Sequence, residues 1–201
     1  MSYDRTKRML DLAIAVPALL LSLPIQAAVA CAIARRLGRP VLFRQPRPGL
    51  AGKPFVLLKF RTMRPLDPDR GWIDDDSRMT ALGRRLRASS LDELPSLWNV
   101  VRGDLSLVGP RPLLVEYLNR YTPEQMRRHD VKPGLTGLAQ VSGRNAITWD
   151  QKFALDIKYL ENQSFRTDIR IILATARSVL RRDGIHATGS QTMPEFLASG
   201  G

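Results

Sequence analysis

Residues 12–34 read LAIAVPALLLSLPIQAAVACAIA, a run of 23 residues without a charge. A helix rising about 1.5 Å per residue over that length can cross a bilayer core about 30 Å thick. Arg5, Lys7 and Arg8 precede the run, and Arg35, Arg36, Arg39, Arg44 and Arg47 follow it. Basic flanks favour the cytoplasmic side, so a straight span puts one cluster on the wrong face. Pro24 lies near the middle, with Pro17 before it. A proline inside a helix deletes a backbone hydrogen bond and bends the axis. A helix broken at Pro24, entering and leaving by one face, satisfies both flanks. On the residues alone three readings stay open: a re-entrant helix, a straight span, and a buried helix of a soluble fold. The run is too long for a signal peptide, and no small-x-small cleavage site follows it.

The 201 residues allow one domain with a sizeable core. A formal net charge of +12 and a pI of about 10.8 point to a polyanionic partner: nucleic acid, anionic lipid or a phosphorylated substrate. Aromatic residues make up only 6%, too few for the stacking platforms of single-strand nucleic-acid binding. Cys31 is the only cysteine, which excludes an intrachain disulfide and fits a reducing compartment. His129 and His186 match no metal-ligand spacing and read as ordinary surface or capping residues.

The stretch richest in chemistry is residues 89–112, SSLDELPSLWNVVRGDLSLVGPRP. Ser90 and Glu93 fit a capping box, which puts Asp92 and Glu93 in the first turn of a helix. Leu94, Leu97, Trp98 and Val101 have the spacing of one buried helical face, and Gly103 suits the end. Pro95 deletes an intrahelical bond if Ser90 is the N-cap, and deletes none if Asp92 is; both remain open. An Asp-Glu pair in this place is most simply a helix cap. It is also a carboxylate pair at a positive helix terminus, with an arginine between two prolines, Pro110-Arg111-Pro112, in the next loop.

Residues 41–45 and 55–60 read as the strands of a β-hairpin joined through Pro46, Pro48, Gly49, Gly52 and Pro54. Gly52-Lys53 is not a P-loop, since Arg47 and Pro54 occupy positions that motif reserves for Gly and Ser or Thr. Lys59 and Arg61 alternate along the second strand and can present two cations to a phosphate, or simply protect a strand edge. Residues 64–77 read as a loop, with Asp74-Asp75-Asp76 as a flexible acidic segment. Residues 80–88 suit a short helix carrying Arg84, Arg85 and Arg87, and residues 113–121 another. Thr122-Pro123-Glu124-Gln125 and Thr148-Trp149-Asp150-Gln151 are helix starts. Residues 132–145 read as a glycine-rich loop able to approach a ligand closely. Residues 168–182 have one apolar face.

Ser90 to Val100, Gly103 to Ser106 and Gly109 to Pro112 resemble the signature of the bacterial sugar transferases, the monotopic phosphoglycosyl transferases. Lys7-Arg8 with Asp11, Gln45 to Gly49, Lys59 to Met63 and Pro133 to Asn145 extend the resemblance over nearly the whole chain. It implies a mostly α fold with a small β-hairpin: a monotopic membrane protein with an N-terminal re-entrant kinked helix (1–39) and a compact cytoplasmic catalytic domain (40–201) with surface-lying amphipathic helices. Lys7 and Arg8 are the expected interface anchors, and Leu23-Pro24 the expected break, although Leu23 stands where the family often has Ser. The implied reaction moves a sugar-1-phosphate from a UDP-sugar to a polyprenol phosphate of the undecaprenyl type at the bacterial inner membrane, releasing UMP through a covalent phosphosugar-aspartate. Asp92 is the implied nucleophile and Glu93 its partner, both ligands to Mg2+. Lys59, Arg61, Arg87, Arg111 and Arg144 are the expected phosphate-binding cations. Membrane lipid is an expected partner, nucleic acid is not, and the arrangement leaves room for a homodimer. Ser96 and Ser142 depart from the family pattern and are candidates for tuning sugar preference. Two non-catalytic classes stay open: a membrane-anchored binder of anionic lipid or nucleic acid, and a scaffold for glycan assembly. The sugar transferred is not legible.

Overall fold

One helix, α1 (Tyr3–Arg36), carries the whole apolar run and continues through Pro17 and Pro24. The computed structural model describes residues 3–143, 147–181 and 195–196. Ser22 Oγ donates to the Leu19 carbonyl at 3.0 Å and accepts from Gln26 Nε2 at 2.9 Å. A hydroxyl two residues before Pro24 thus bonds the backbone of the preceding turn. Only 11% of the most apolar stretch of α1 is buried against the protein, and Leu20, Leu21 and Leu23 are 60%, 80% and 50% exposed. The middle of the helix is therefore no part of a soluble core, and its surface is compatible with membrane association.

Both ends of α1 are docked. Its buried residues, Lys7, Asp11, Ala15, Ser22, Val29 and Ile33, lie four or seven apart and form one stripe. At the N-terminal end, Lys7 Nζ reaches Asp168 and Tyr159, and Tyr3 also donates to Asp168. At the other end Val29 and Ile33 pack with Phe60 and Leu86. Lys7 is 6% exposed, because its ammonium neutralises a fully buried carboxylate. Arg8 donates to the carbonyls of Val100 and Val101 at 2.6 Å each. The two residues expected as interface anchors are thus turned into the protein.

The hairpin forms as expected. Strands β1 (Leu42–Pro48) and β2 (Pro54–Phe60) pair antiparallel, Arg44 opposite Leu58 and Arg47 opposite Phe55. After it, Asp74 caps a one-turn helix, α2 (Asp75–Arg78), so the acidic segment is ordered, and Thr80 caps α3 (Ala81–Ala88). Helix α4 (Ser96–Arg102) begins later than the capping-box reading places it. Ser90 has φ 56°, caps nothing, and leads into a 3-10 turn at Leu91–Glu93; Pro95 then precedes α4. A left-handed Ser cannot be an N-cap, which needs extended backbone. Gly103 ends α4 with φ 89°, as its position suggests.

A short parallel pair follows, β3 (Ser106–Val108) with β4 (Gly134–Thr136). The segment read as a ligand-approaching glycine loop is thus partly strand, and continues into α6 (Leu138–Ser142) after α5 (Pro123–Met126). Gly134 and Gly137 serve backbone-to-backbone contact: a Cβ on Gly134 would lie 2.1 Å from the Gly109 nitrogen, and one on Gly137 2.1 Å from the Gly109 oxygen. Residues 115–120 form a 3-10 helix rather than an α-helix. Helices α7 (Trp149–Glu161) and α8 (Phe165–Arg181) complete the fold, α7 opened by the Thr148–Gln151 capping box. The main core joins Ala15 of α1 to Leu57, Leu97, Val100, Leu105, Leu107, Tyr159 and Ile171. His129, expected as a surface or capping residue, is 5% exposed and held as the neutral imidazole by burial and by Arg128, its pKa lowered to about 4. His186 lies outside the described residues.

Candidate active site

Two side chains lock α4 to the free edge of β2 with three hydrogen bonds. Ser96 Oγ donates to the Leu58 carbonyl at 2.6 Å, Asn99 Nδ2 donates to the Val56 carbonyl at 2.8 Å, and Asn99 Oδ1 accepts from the Leu58 amide at 3.0 Å. Asp104 fixes the Asn99 amide from the far side. A sheet edge that would otherwise be left unpaired is satisfied by a helix. Ser96 is fully buried, its hydroxyl engaged in this bond. The same docking turns Trp98 out of the core: α4 buries Ser96, Leu97, Asn99 and Val100, and Trp98 is 48% exposed. Trp98 joins Leu19, Leu23, Ala30, Leu58 and Pro95 around an apolar groove between α1 and the hairpin.

The docking sets Lys59 of β2 against Glu93. Lys59 Nζ donates to Glu93 Oε1 at 2.6 Å, and Arg111 Nη2 donates to the same oxygen at 2.9 Å. Burial pushes the Glu93 carboxyl up, but Arg111 and Lys59 outweigh it and hold it at about 2. Burial and the nearby Arg111 lower the Lys59 ammonium against the pull of Glu93. Asp92 is 8% exposed and has no hydrogen bond or ion pair among the described residues. Burial pushes its carboxyl up, the Glu93 charge adds to this, and Lys59, Arg87 and Arg111 pull back, leaving it at about 6. Two neighbouring carboxylates thus have different environments: Glu93 is held as an anion by two cations, and Asp92, unpaired among the described residues, is the more basic.

Arg87 comes from α3, its Nε on Thr62 Oγ1 at 3.1 Å and its Nη2 on Met63 Sδ at 3.1 Å, close enough for its charge to act on Asp92. Gly83 allows that placement, since a Cβ there would meet the Thr62 carbonyl oxygen at 1.9 Å. Arg61 is not brought to the cluster. It lies beyond the end of β2, and its Nη2 donates to the carbonyls of Leu37 and Gly38 after α1. Arg144 lies outside the described residues. Lys59, Arg87 and Arg111 therefore surround the carboxylate pair, drawn from three separate segments.

The pair fits a divalent cation in one respect. Mg2+ commonly takes one or two carboxylates and fills its other positions with water and substrate oxygens, and the repulsion felt by Asp92 is what such a charge would relieve. Among the described residues no group of three or more potential metal ligands occurs, so the protein alone would not complete its shell.

Sequence reasoning missed the bracing behind this cluster. Arg128 and Asp156 form a buried pair at 2.7 Å, with side chains 1% and 3% exposed, and Arg128 Nη2 also donates to the Arg111 carbonyl at 2.8 Å. Asp156 lies between Phe153 and Ile157 on the buried face of α7. A carboxylate on an apolar stripe was the available signal.

The chain matches the bacterial sugar transferase family over residues 2–182. It is 49% identical over 195 residues to an uncharacterized sugar transferase, EpsL, of Bacillus subtilis, covering 96% of each chain. It is 43% identical over 194 residues to the UDP-glucose:undecaprenyl-phosphate glucose-1-phosphate transferase of Caulobacter vibrioides, covering 91% of this chain and 73% of the relative. It is 39% identical over 198 residues to the undecaprenyl-phosphate galactose phosphotransferase of Salmonella typhimurium, covering 90% of this chain but 41% of that longer protein.

Proposed function

The chain belongs to the bacterial sugar transferase family, and from that premise we propose that it moves a sugar-1-phosphate from a UDP-sugar to a polyprenol phosphate such as undecaprenyl phosphate. The observation that carries the reading is the divided carboxylate pair: Asp92 buried, unpaired among the described residues and pushed up to about 6, beside a Glu93 gripped by Lys59 and Arg111.

An Asp92 oxygen attacks the phosphorus bonded to the sugar-1-oxygen. The bond from that phosphorus to the bridging oxygen breaks and UMP leaves with the electron pair. A phosphosugar-aspartate remains. A phosphate oxygen of the lipid then attacks the same phosphorus and Asp92 departs as carboxylate, so no net proton is consumed by the protein. The covalent step divides one hard transfer into two easier ones. A diphosphate repels a carboxylate nucleophile, and Lys59, Arg87 and Arg111 offset that charge. Mg2+ held by Asp92 and Glu93 would supply further neutralisation of the phosphate oxygens. Glu93, ionised down to about 2, suits the placement of cations and not proton transfer.

We also propose that both ends of α1 lie on the cytoplasmic face of the inner membrane, with the bend at Leu23-Pro24. The support is that both ends dock on one catalytic unit: Lys7 on Asp168 at one end, Ile33 beside Phe60 at the other. A straight span leaves only one end on that side of the bilayer. The apolar groove beside Trp98 and Pro95, a turn away from Asp92, then opens where a lipid tail would enter.

The test is UMP release by the purified full-length protein across a panel of UDP-sugars with undecaprenyl phosphate and Mg2+. At least one sugar should give lipid-dependent turnover, and none in Asp92→Asn. Release of UMP by no sugar in the panel would count against the reading.

A further inference from the structure

Arg47, which lies within the Gln45 to Gly49 stretch of the family resemblance, is a cation of this site that is not among the expected phosphate-binding residues. It stands on β1 and lines, with Lys59, Glu93 and Arg111, the polar side of a cleft whose other walls are apolar, including Leu57, Leu105 and Leu135. Its Nη2 donates to Gln45 Oε1 at 2.6 Å, while its Nε is buried and meets no partner among the described residues. No described carboxylate lies at ion-pair distance from it, whereas Lys59 and Arg111 share the one carboxylate oxygen of Glu93. Burial, and then the neighbouring Arg111, push the Arg47 guanidinium down to about 10. Two guanidiniums and an ammonium thus face one cleft with a single carboxylate between them. Apolar walls weaken solvent screening and strengthen any charge-assisted bond formed there.

We propose that Arg47 completes a phosphate-binding cradle with Lys59 and Arg111, its guanidinium fork taking the oxygens of a substrate phosphate. The proposal rests on the reading of the substrates as a nucleotide diphosphate-sugar and a polyprenol phosphate, either of which carries the required group. A fork of planar donors suits a phosphate better than a single ammonium does, and the excess positive charge of the cleft is what a phosphate neutralises.

The experiment titrates the purified full chain in detergent with UDP and, separately, with farnesyl phosphate as a short lipid phosphate. Arg47→Gln should weaken one of the two at least tenfold, and which one identifies the phosphate held. Arg44→Gln, an exposed arginine on the same strand, should bind both like the wild type. Unchanged affinity for both ligands in a folded Arg47→Gln overturns the cradle. If Arg47→Gln does not fold, the wild-type protein is treated with phenylglyoxal and mapped by mass spectrometry. Protection of Arg47 by either ligand supports the proposal, and equal modification with and without them overturns it. A protein that binds UDP through Arg47 yet transfers no sugar leaves the cradle standing and sinks the reading of its function.

Discussion

Asp92 is costly to the fold that holds it. Its carboxyl rises from 3.8 to about 6, so the folded state holds this proton more tightly than the unfolded chain does. The stability it contributes is complete below about pH 4 and lost as pH rises through about 6. A shift of that size corresponds to at most about 3 kcal/mol. Asp92→Asn, measured in EDTA, should therefore raise the melting temperature at pH 7.5 while abolishing turnover, and the gain should vanish near pH 4. An unchanged or lower melting temperature at pH 7.5 would contradict this electrostatic account. At this scale much was legible: the Asp-Glu pair, Lys59 and Arg111 stand out by type and spacing. Arg61 did not follow the same logic, because alternation along a strand says nothing past the strand's end, where it binds the carbonyls of Leu37 and Gly38 instead. Arg47 was hidden in what looked like one more basic flank.

Elements capped by a local signal were readable, α2 with its Asp74–Ser77 box excepted, and elements made by distant contact were not. The Thr122–Gln125 and Thr148–Gln151 boxes open helices where the sequence places them. The three-residue strands β3 and β4 have no periodicity to detect, and exist because residues 106–108 and 134–136 meet across 28 positions of chain. The start of α4 was misplaced for a related reason. Its position is decided by the docking of Ser96 and Asn99 on β2, which outweighs the Ser-x-x-Glu pattern before it. Asn99→Ala should accordingly cost about 2–4 kcal/mol in urea unfolding, because it strands a backbone donor and a backbone acceptor of β2 in the interior. It should also lower turnover by loosening Lys59 against Glu93. A loss below about 0.5 kcal/mol would show that α4 is held by its apolar contacts alone.

At the scale of the whole molecule, the apolar run and its basic flanks announced a helix of membrane length, but the flanks had a second use. Lys7 and Arg8 serve the interior, one neutralising Asp168 and the other capping the carbonyl end of α4. Net charge cannot reveal this, since a buried cation and a headgroup anchor look the same in sequence. Docking of both helix ends on one unit predicts that single cysteines near Ser2 and Arg39, in a Cys31→Ser background, are both protected from an impermeant thiol reagent in intact cells. Labelling at one end only would make α1 a straight span. Pro24→Ala should move the protein toward that state. In the proposed arrangement the fold holds one buried carboxylate, Asp92, at the level of a lipid phosphate. The direct measurement is the intact mass of the protein after incubation with a UDP-sugar and Mg2+ but no lipid acceptor, followed by mapping of the modified peptide. The account predicts a mass gain of one sugar-phosphate on Asp92, discharged by adding undecaprenyl phosphate and absent in Asp92→Asn. An adduct on another residue, or full turnover by Asp92→Asn, would contradict it.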